Sequence, residues 1–358
     1  MDKKIVVQKY GGSSVSDIDG IRQVAKRIAQ TVRTGWNVVV VVSAMGNTTD
    51  ALISLAKAIS PNPTRRELDL LISVGERVSM TLLAMAVEQE GVHARSFTGS
   101  QSGIITDEHH VSANILEVRP HRIQKALEKG YVAIVAGFQG MSVSKEVTTL
   151  GRGGSDTTAV ALTAALGAEY CEICSDVDGV YSADPRIVPT AKKWNEMRLH
   201  DAWKLAKHGA KVLQAAALEY AIEKKISISA NATKKPVGTG TLLKIDGGPA
   251  TFGVTSRSVY YLSGLEQIPP WAQDALLFCW EQDGWHIVLN PENLHEEVSG
   301  GFFCATVSVL GDLPSSIFFE QLPVSCIRWW RTPQVWTALI PKEAQRPLVV
   351  DLHNALKT

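Results

Sequence analysis

At 358 residues, 45% hydrophobic and 20% charged, the chain is too long for one ordinary core and has the composition of a folded protein of more than one domain. Its 36 basic and 36 acidic side chains leave no net field to draw nucleic acid or an anionic membrane, so partners must be read from sites. Cys171, Cys174, Cys279, Cys304 and Cys326 are odd in number and lack a framework spacing, which with the absence of a leader-like segment behind Met1–Lys4 gives a cytoplasmic expectation. No segment reads as long enough to span a bilayer, and there is no internal repeat.

In chain order, residues 4–9 and the run Asn37–Val42 predict buried parallel strands, and Tyr131–Phe138 and Tyr170–Ser175 predict two more. Helices are predicted over Asp17–Val32, Thr48–Ile59, Arg66–Glu90, Arg119–Lys129, Ser155–Leu166 and His200–Glu223. That alternation implies an α/β sandwich whose ligands bind where strands end and helices begin. Near Ile245–Pro249 the character changes, and most of the tryptophans lie beyond it. A hairpin is predicted from Leu276–Gln282, an Asp283-Gly284 turn and Trp285–Leu289. Strands over Phe303–Leu310, Val324–Arg331 and Val335–Ile340 and a helix near Leu348–Leu356 complete a small α+β module.

Five segments carry chemistry. Lys9-Tyr10-Gly11-Gly12-Ser13-Ser14 puts a lysine at a strand end and two glycines where main-chain N–H groups can approach a phosphate; alone, it also suits a tight turn with a solvated lysine. Leu150-Gly151-Arg152-Gly153-Gly154-Ser155-Asp156 offers a guanidinium fork to a carboxylate, with Ser155 placed to cap the next helix. Ser175-Asp176-Val177-Asp178-Gly179-Val180-Tyr181-Ser182-Ala183-Asp184-Pro185-Arg186 groups carboxylates, a tyrosine and an arginine in one loop, suited to a nucleotide or to plain Asx turns. Ser43-Ala44-Met45-Gly46-Asn47-Thr48-Thr49-Asp50 and Gly75-Glu76-Arg77 could receive an amino acid, though a helix cap and a charged surface face explain each alone. Neither a P-loop nor a protein-kinase glycine loop occurs.

In order and spacing these segments resemble the aspartate kinases of the amino-acid kinase superfamily over residues 4–244; Gly137-Phe138-Gln139-Gly140 and Gly209-Ala210-Lys211-Val212-Leu213 fit as well. The resemblance implies an α/β amino-acid-kinase fold, a three-layer sandwich with a mainly parallel sheet, over residues 1–244. It implies a small ACT-like α+β domain of βαββαβ type over 245–358, serving regulation or oligomerisation; those residues are too few for two full copies. The implied reaction transfers the γ-phosphoryl group of ATP, with Mg²⁺, to the side-chain carboxylate of L-aspartate in a homo-oligomer. Lys9 with Tyr10, Gly11, Gly12 and Ser13 would meet the transferring phosphoryl group, Ser43 would lie beside the reaction, and Asp156 would orient Lys9. Thr49, Glu76 and Arg152, with Gly153, Gly154 and Ser155, would hold aspartate. Ser175, Asp176, Tyr181, Asp184, Arg186 and Lys211 would form the ATP side. The rivals are another carboxylate kinase of the superfamily and a non-catalytic amino-acid sensor.

Two departures and two decoys stand out. Gln214-Ala215-Ala216-Ala217 replaces a basic stretch that many members carry, and Leu310-Gly311-Asp312-Leu313-Pro314 only partly matches an ACT effector loop. Cys171 and Cys174, three apart on a strand, should face opposite sides and chelate nothing. His109-His110 is expected to be solvent-exposed without a carboxylate partner.

Overall fold

The computed structural model describes residues 4–236, 238–246, 253–265, 267, 276–281, 284–289, 291, 301–311, 326–332 and 334–356. The chain forms two compact units. The first comprises Met1–Val180, Trp194–Trp203 and Lys211–Pro249; the second comprises Tyr181–Lys193, Lys204–Ala210 and Ala250–Thr358.

The first unit is built on β1 (Ile5–Tyr10), β2 (Asn37–Val42), β3 (Ala94–Phe97), β6 (Val132–Ala136), β9 (Cys171–Ser175), β10 (Glu196–Arg198), β11 (Ile228–Ala232) and β12 (Thr241–Lys244). They form one sheet in the order β10-β12-β11-β9-β1-β2-β6-β3. It is mainly parallel, as expected; only the β11–β12 pair is antiparallel. All five valines of β2 are buried, as a strand covered on both faces requires.

Helices α1 (Ile18–Arg33) and α4 (Val74–Gln89) cover one face through Ile21, Val24, Ile28, Met80, Leu83 and Val87 against Val6, Tyr10, Val38, Val40 and Val42. Asp17 caps α1 by accepting from Gly20 N–H at 2.8 Å. Helix α6 (Gly154–Leu166) packs on β1, β2 and β9 from the opposite face, with α8 (Ala215–Lys224) beside it. Between these lie α2 (Thr48–Ile59), α3 (Arg65–Ile72) and α5 (His121–Glu128). A side sheet absent from the sequence reading joins β4 (Ile104–Thr106), β5 (Ile115–Val118), β7 (Gln139–Ser142) and β8 (Val147–Thr149) in the order β5-β4-β7-β8.

Two predicted helices are interrupted. The stretch expected from Arg66 to Glu90 breaks at Ser73, whose carbonyl is taken by the Gln139 amide at 2.8 Å instead of the next helical turn. The one expected over His200–Glu223 ends as α7 (Leu199–Lys207) and resumes as α8, because Gly209 sits at φ 112°. Contrary to the sequence reading, one stretch among the described residues, Arg65–Gln89, has the length and mean hydropathy (1.6) to cross a bilayer. In the fold it buries Asp69 and Glu76, and its α4 part packs on β3 and β6.

The second unit holds a six-stranded sheet: β13 (Gly253–Leu265), β14 (Leu277–Glu281), β15 (Gly284–Leu289), β16 (Phe302–Leu310), β17 (Arg328–Thr332) and β18 (Val335–Ile340), ordered β14-β15-β13-β16-β18-β17. Every pairing in it is antiparallel. The expected hairpin is present as β14–β15, and β13 supplies a long strand where the sequence offered no assignment. Helix α9 (Gln345–Ala355) buries Leu348, Val349 and Leu352 against Val254, Val307, Val309 and Ile340. Ala183, from the segment read as a nucleotide loop, and Val188 just after it belong to this core. Trp329 and Trp330 fall on opposite faces as expected: Trp329 stacks on Trp336 at 5.7 Å, and Trp330 packs against Val259, Tyr261 and Leu339. Trp271, Asp312–Pro314, the start of the strand expected from Val324, and any helix between 311 and 326 lie outside the described residues.

Candidate active site

The loops that leave the C-terminal ends of β1, β2, β9 and β11 lock onto one another. Tyr10 C=O accepts from Ser43 N–H at 3.1 Å, Gly12 C=O from Gly46 N–H at 3.2 Å, and Cys174 C=O from Gly11 N–H at 3.3 Å. Gly12 is required here, since a Cβ would lie 2.8 Å from the Ala44 carbonyl oxygen. Ser14 Oγ, unassigned from sequence, lies 2.6 Å from Thr233 Oγ1, and Ser13 Oγ donates to Asp176 Oδ1 at 3.5 Å.

Lys9 alternates with Val6, Gln8 and Tyr10 and so faces α6. Its Nζ lies 2.7 Å from Asp156 Oδ1 in the first turn of that helix, with both side chains nearly buried. The N-cap of α6 is Gly153 at φ 76°, with no side-chain cap, so Ser155 is already inside the helix and is not the cap its sequence suggested. Gly137 makes room for it: a Cβ there would lie 2.7 Å from Ser155 Oγ. Arg152 is exposed between its glycines.

On the other side of the Ser43–Gly46 loop, Glu76 opens α4 and is only 3% exposed. Its Oε1 accepts from Ala44 N–H at 3.1 Å, while Oε2 has no hydrogen-bond partner among the described residues. Burial pushes this carboxyl up to about 7, against the Ala44 hydrogen bond. Gly75 lets α4 come this close, because a Cβ would lie 2.7 Å from that of Ala44. Ser79 Oγ donates to Ser43 C=O at 2.7 Å, and Thr49 is half-buried in the first turn of α2.

The third group divides between the units. In the first, Ser175 Oγ accepts from Val177 N–H at 3.1 Å, and Asp176 and Lys211 are exposed. In the second, Arg186 Nε and Nη2 donate to Asp184 at 3.0 and 2.7 Å, Tyr181 bridges to Lys193, and Ser182 Oγ accepts from Lys192 N–H at 2.9 Å.

Two readings change. Tyr10, placed on the nucleotide side, is fully buried in the α1–α4 core, and its hydroxyl donates to Gln8 Oε1 at 3.3 Å, so only its main chain borders the loop. His110 is paired after all, its Nδ1 lying 2.6 Å from Asp69 Oδ2. A buried polar network was missed altogether: Glu172 accepts from Arg27 at 2.8 Å, Asn231 at 2.9 Å and Gln8 at 2.7 Å. Cys171 and Cys174 face opposite sides of the sheet: Cys174 packs in the α1-side core, whereas Cys171 hydrogen-bonds toward Thr163 of α6.

The fold and the order of these loops are those of the amino-acid-kinase type. The model of the amino acid kinase family matches residues 4–229, and the chain belongs to that family. An aspartokinase of Mycobacterium tuberculosis is 57% identical over 225 residues, which are 63% of this chain and 53% of that protein. One from Mycolicibacterium smegmatis is 53% identical over 243 residues, 67% of this chain and 57% of that protein. The chain thus spans little more than half the length of these relatives. Among solved structures, Escherichia coli aspartokinase III in complex with aspartate and ADP superposes with a TM-score of 0.84 at 23% identity, covering 99% of this chain and 100% of that one.

Proposed function

We propose that this chain is an aspartate kinase, transferring the γ-phosphoryl group of ATP to the side-chain carboxylate of L-aspartate to give 4-phospho-L-aspartate, a precursor in lysine, threonine, methionine and diaminopimelate synthesis. The observation that carries this is the pairing of Lys9 with Asp156 at 2.7 Å, beside a glycine turn and across the Ser43–Gly46 loop from a buried carboxylate with one unpartnered oxygen. The aspartokinase relatives, at 57% and 53% identity, support the same substrate.

An acceptor carboxylate is ionised at neutral pH, so no general base is needed; positioning and charge neutralisation suffice. Lys9 is held in ion-pair contact with Asp156, and its N–H groups turn to the oxygens of the phosphoryl group, alongside the main chain of Gly11, Gly12 and Ser13. Ser43 borders the reaction. Glu76 Oε2 receives the substrate ammonium, Arg152 and the N-terminus of α6 at Gly153–Ser155 receive its α-carboxylate, and Thr49 completes the pocket. Ser175, Asp176 and Lys211 serve ATP, as do Tyr181, Asp184 and Arg186. Mg²⁺ would enter with ATP, held largely through the nucleotide phosphates, and would supply charge neutralisation there. The kinase domain covers 1–244. Residues 245–358 form an ACT-like regulatory or oligomerisation domain of a cytoplasmic homo-oligomer.

Incubating the protein with ATP, Mg²⁺, aspartate and hydroxylamine tests the reading: aspartyl hydroxamate is the expected product. Hydroxamate from a different carboxylate and none from aspartate would overturn the substrate assignment.

A further inference from the structure

A second buried carboxylate lies on the amino-acid side of the first unit. Asp69 of α3 is fully buried. Its Oδ1 accepts from Thr149 Oγ1 at 2.5 Å and from Val111 N–H at 3.0 Å; its Oδ2 lies 2.6 Å from His110 Nδ1 and 3.1 Å from Val111 N. A carboxylate can only accept, so His110 carries a proton on Nδ1. One side chain thereby ties together α3, the turn at His109–Ala113, and the last residue of β8.

Each of those parts leads to a substrate-side residue. Helix α3 runs through Ser73 into the first turn of α4, where Glu76 sits. Thr149 is followed directly by Leu150-Gly151-Arg152. The turn rests on Gly151: a Cβ there would lie 3.3 Å from Val111 C=O and 3.7 Å from Ser112 Cα. Val111 itself stands at φ 72°, a conformation that a β-branched residue keeps only when its surroundings hold it. The hold is supplied by Asp69, by Arg65 Nε donating to His110 C=O at 2.9 Å, and by Ala113 N–H donating to Thr149 C=O at 2.9 Å.

We propose that Asp69 is a positioning residue for the amino-acid substrate, which with His110, Thr149 and the Val111 main chain fixes the separation between Glu76 and Arg152. This rests on the proposed assignment of those two residues to the substrate ammonium and α-carboxylate. Two-point capture of a zwitterion depends on the distance between its receptors, and a displacement on the order of 1 Å weakens it steeply. The phosphate turn is instead held through Ala44, Gly46 and Cys174, so nucleotide affinity should not follow.

The test compares Asp69→Asn, His110→Phe and Thr149→Val with the conservative His110→Asn and Thr149→Ser in the full chain. Steady-state kinetics for both substrates are read together with calorimetric aspartate binding in the absence of nucleotide. Asp69→Asn, His110→Phe and Thr149→Val should raise the KM and Kd for aspartate about ten-fold, with the KM for ATP within about two-fold of wild type. His110→Asn, whose amide can donate near the Nδ1 position, and Thr149→Ser should stay within about two-fold for both substrates. If Asp69→Asn does not fold, the two His110 and two Thr149 variants decide alone. Equal losses for both substrates, or conservative variants as damaged as the others, would overturn the positioning role. Wild-type protein that binds aspartate normally beside variants with unchanged Kd would overturn it while sparing the functional reading. Wild-type protein that binds no aspartate would overturn both.

Discussion

Two ion pairs lie on opposite faces of the same sheet. On the α1 face, Arg27 meets Glu172 at 2.8 Å, and both oxygens of the carboxylate are filled: Glu172 also takes hydrogen bonds from Asn231 and Gln8, while Arg27 reaches the carbonyls of Thr233 and Lys235 and leaves its Nε without a hydrogen-bond partner among the described residues. On the α6 face, Lys9 meets Asp156 at 2.7 Å at the mouth of a glycine turn, with ammonium N–H groups to spare. Burial and distance are alike in the two. What differs is how the carboxylate is filled: Glu172 takes hydrogen bonds from two neighbouring strands and a helix and so closes its pair, whereas Asp156 Oδ1 has the Lys9 charge beside it without a hydrogen bond, which leaves that pair open.

The largest effect should come from breaking the closed pair. Arg27→Ala leaves the Glu172 carboxylate buried and uncompensated, which should destabilise the first unit by about 3–5 kcal/mol, read from urea denaturation. Replacing both members by apolar residues, Arg27→Met with Glu172→Leu, should recover most of that loss. A single substitution that left the midpoint unchanged but lowered kcat would erase the distinction between the two faces.

Next in size is the open pair. Lys9→Ala should act mainly on kcat, by about 2–4 kcal/mol, because its charge meets one that develops in the transition state. Arg152→Ala should act by a similar amount, about 2–4 kcal/mol, mainly on the KM for aspartate, since the α-carboxylate is charged throughout. Both should cost less stability than Arg27→Ala. Near-wild-type kinetics in either would remove that residue from the site.

How much of this was legible follows from sequence separation. The strand ends, the glycine turns and the polar loops after them are local patterns, and they place Lys9, Ser43, Arg152, Asp156 and Ser175 where such folds bind ligands. Tyr10 was misplaced although the signal existed: it shares strand parity with Val6 and Gln8 and not with Lys9, so its ring had to enter the core. The Arg27–Glu172 and Asp69–His110 pairs join residues 145 and 41 apart, and no local period reports such a contact. The break at Ser73 depends on Gln139, 66 residues away, and was equally invisible.

Glu76 combines both kinds of environment, one oxygen filled by Ala44 and the other open, and predicts the smallest effect. Burial raises its pKa from 4.5 to about 7, so between those values the folded chain holds a proton that the unfolded chain has released. Stability from this group is therefore present at low pH and is lost as pH rises through that window, by on the order of 2–3 kcal/mol. Glu76→Gln removes the titration, so its melting temperature should exceed that of wild type at pH 8 and converge with it near pH 5. Aspartate should narrow the gap at pH 8 only for wild type, because its ammonium compensates the buried charge. The same proton opposes binding: as pH falls below the folded value, the wild-type KM for aspartate should climb, reaching roughly ten-fold one unit below it. The Gln variant should start with a high KM and show no such climb. A wild-type KM that is flat from pH 8 to 6, together with parallel melting curves for the two proteins, would mean that Glu76 is not the ammonium receptor and that its open oxygen is filled by something other than substrate.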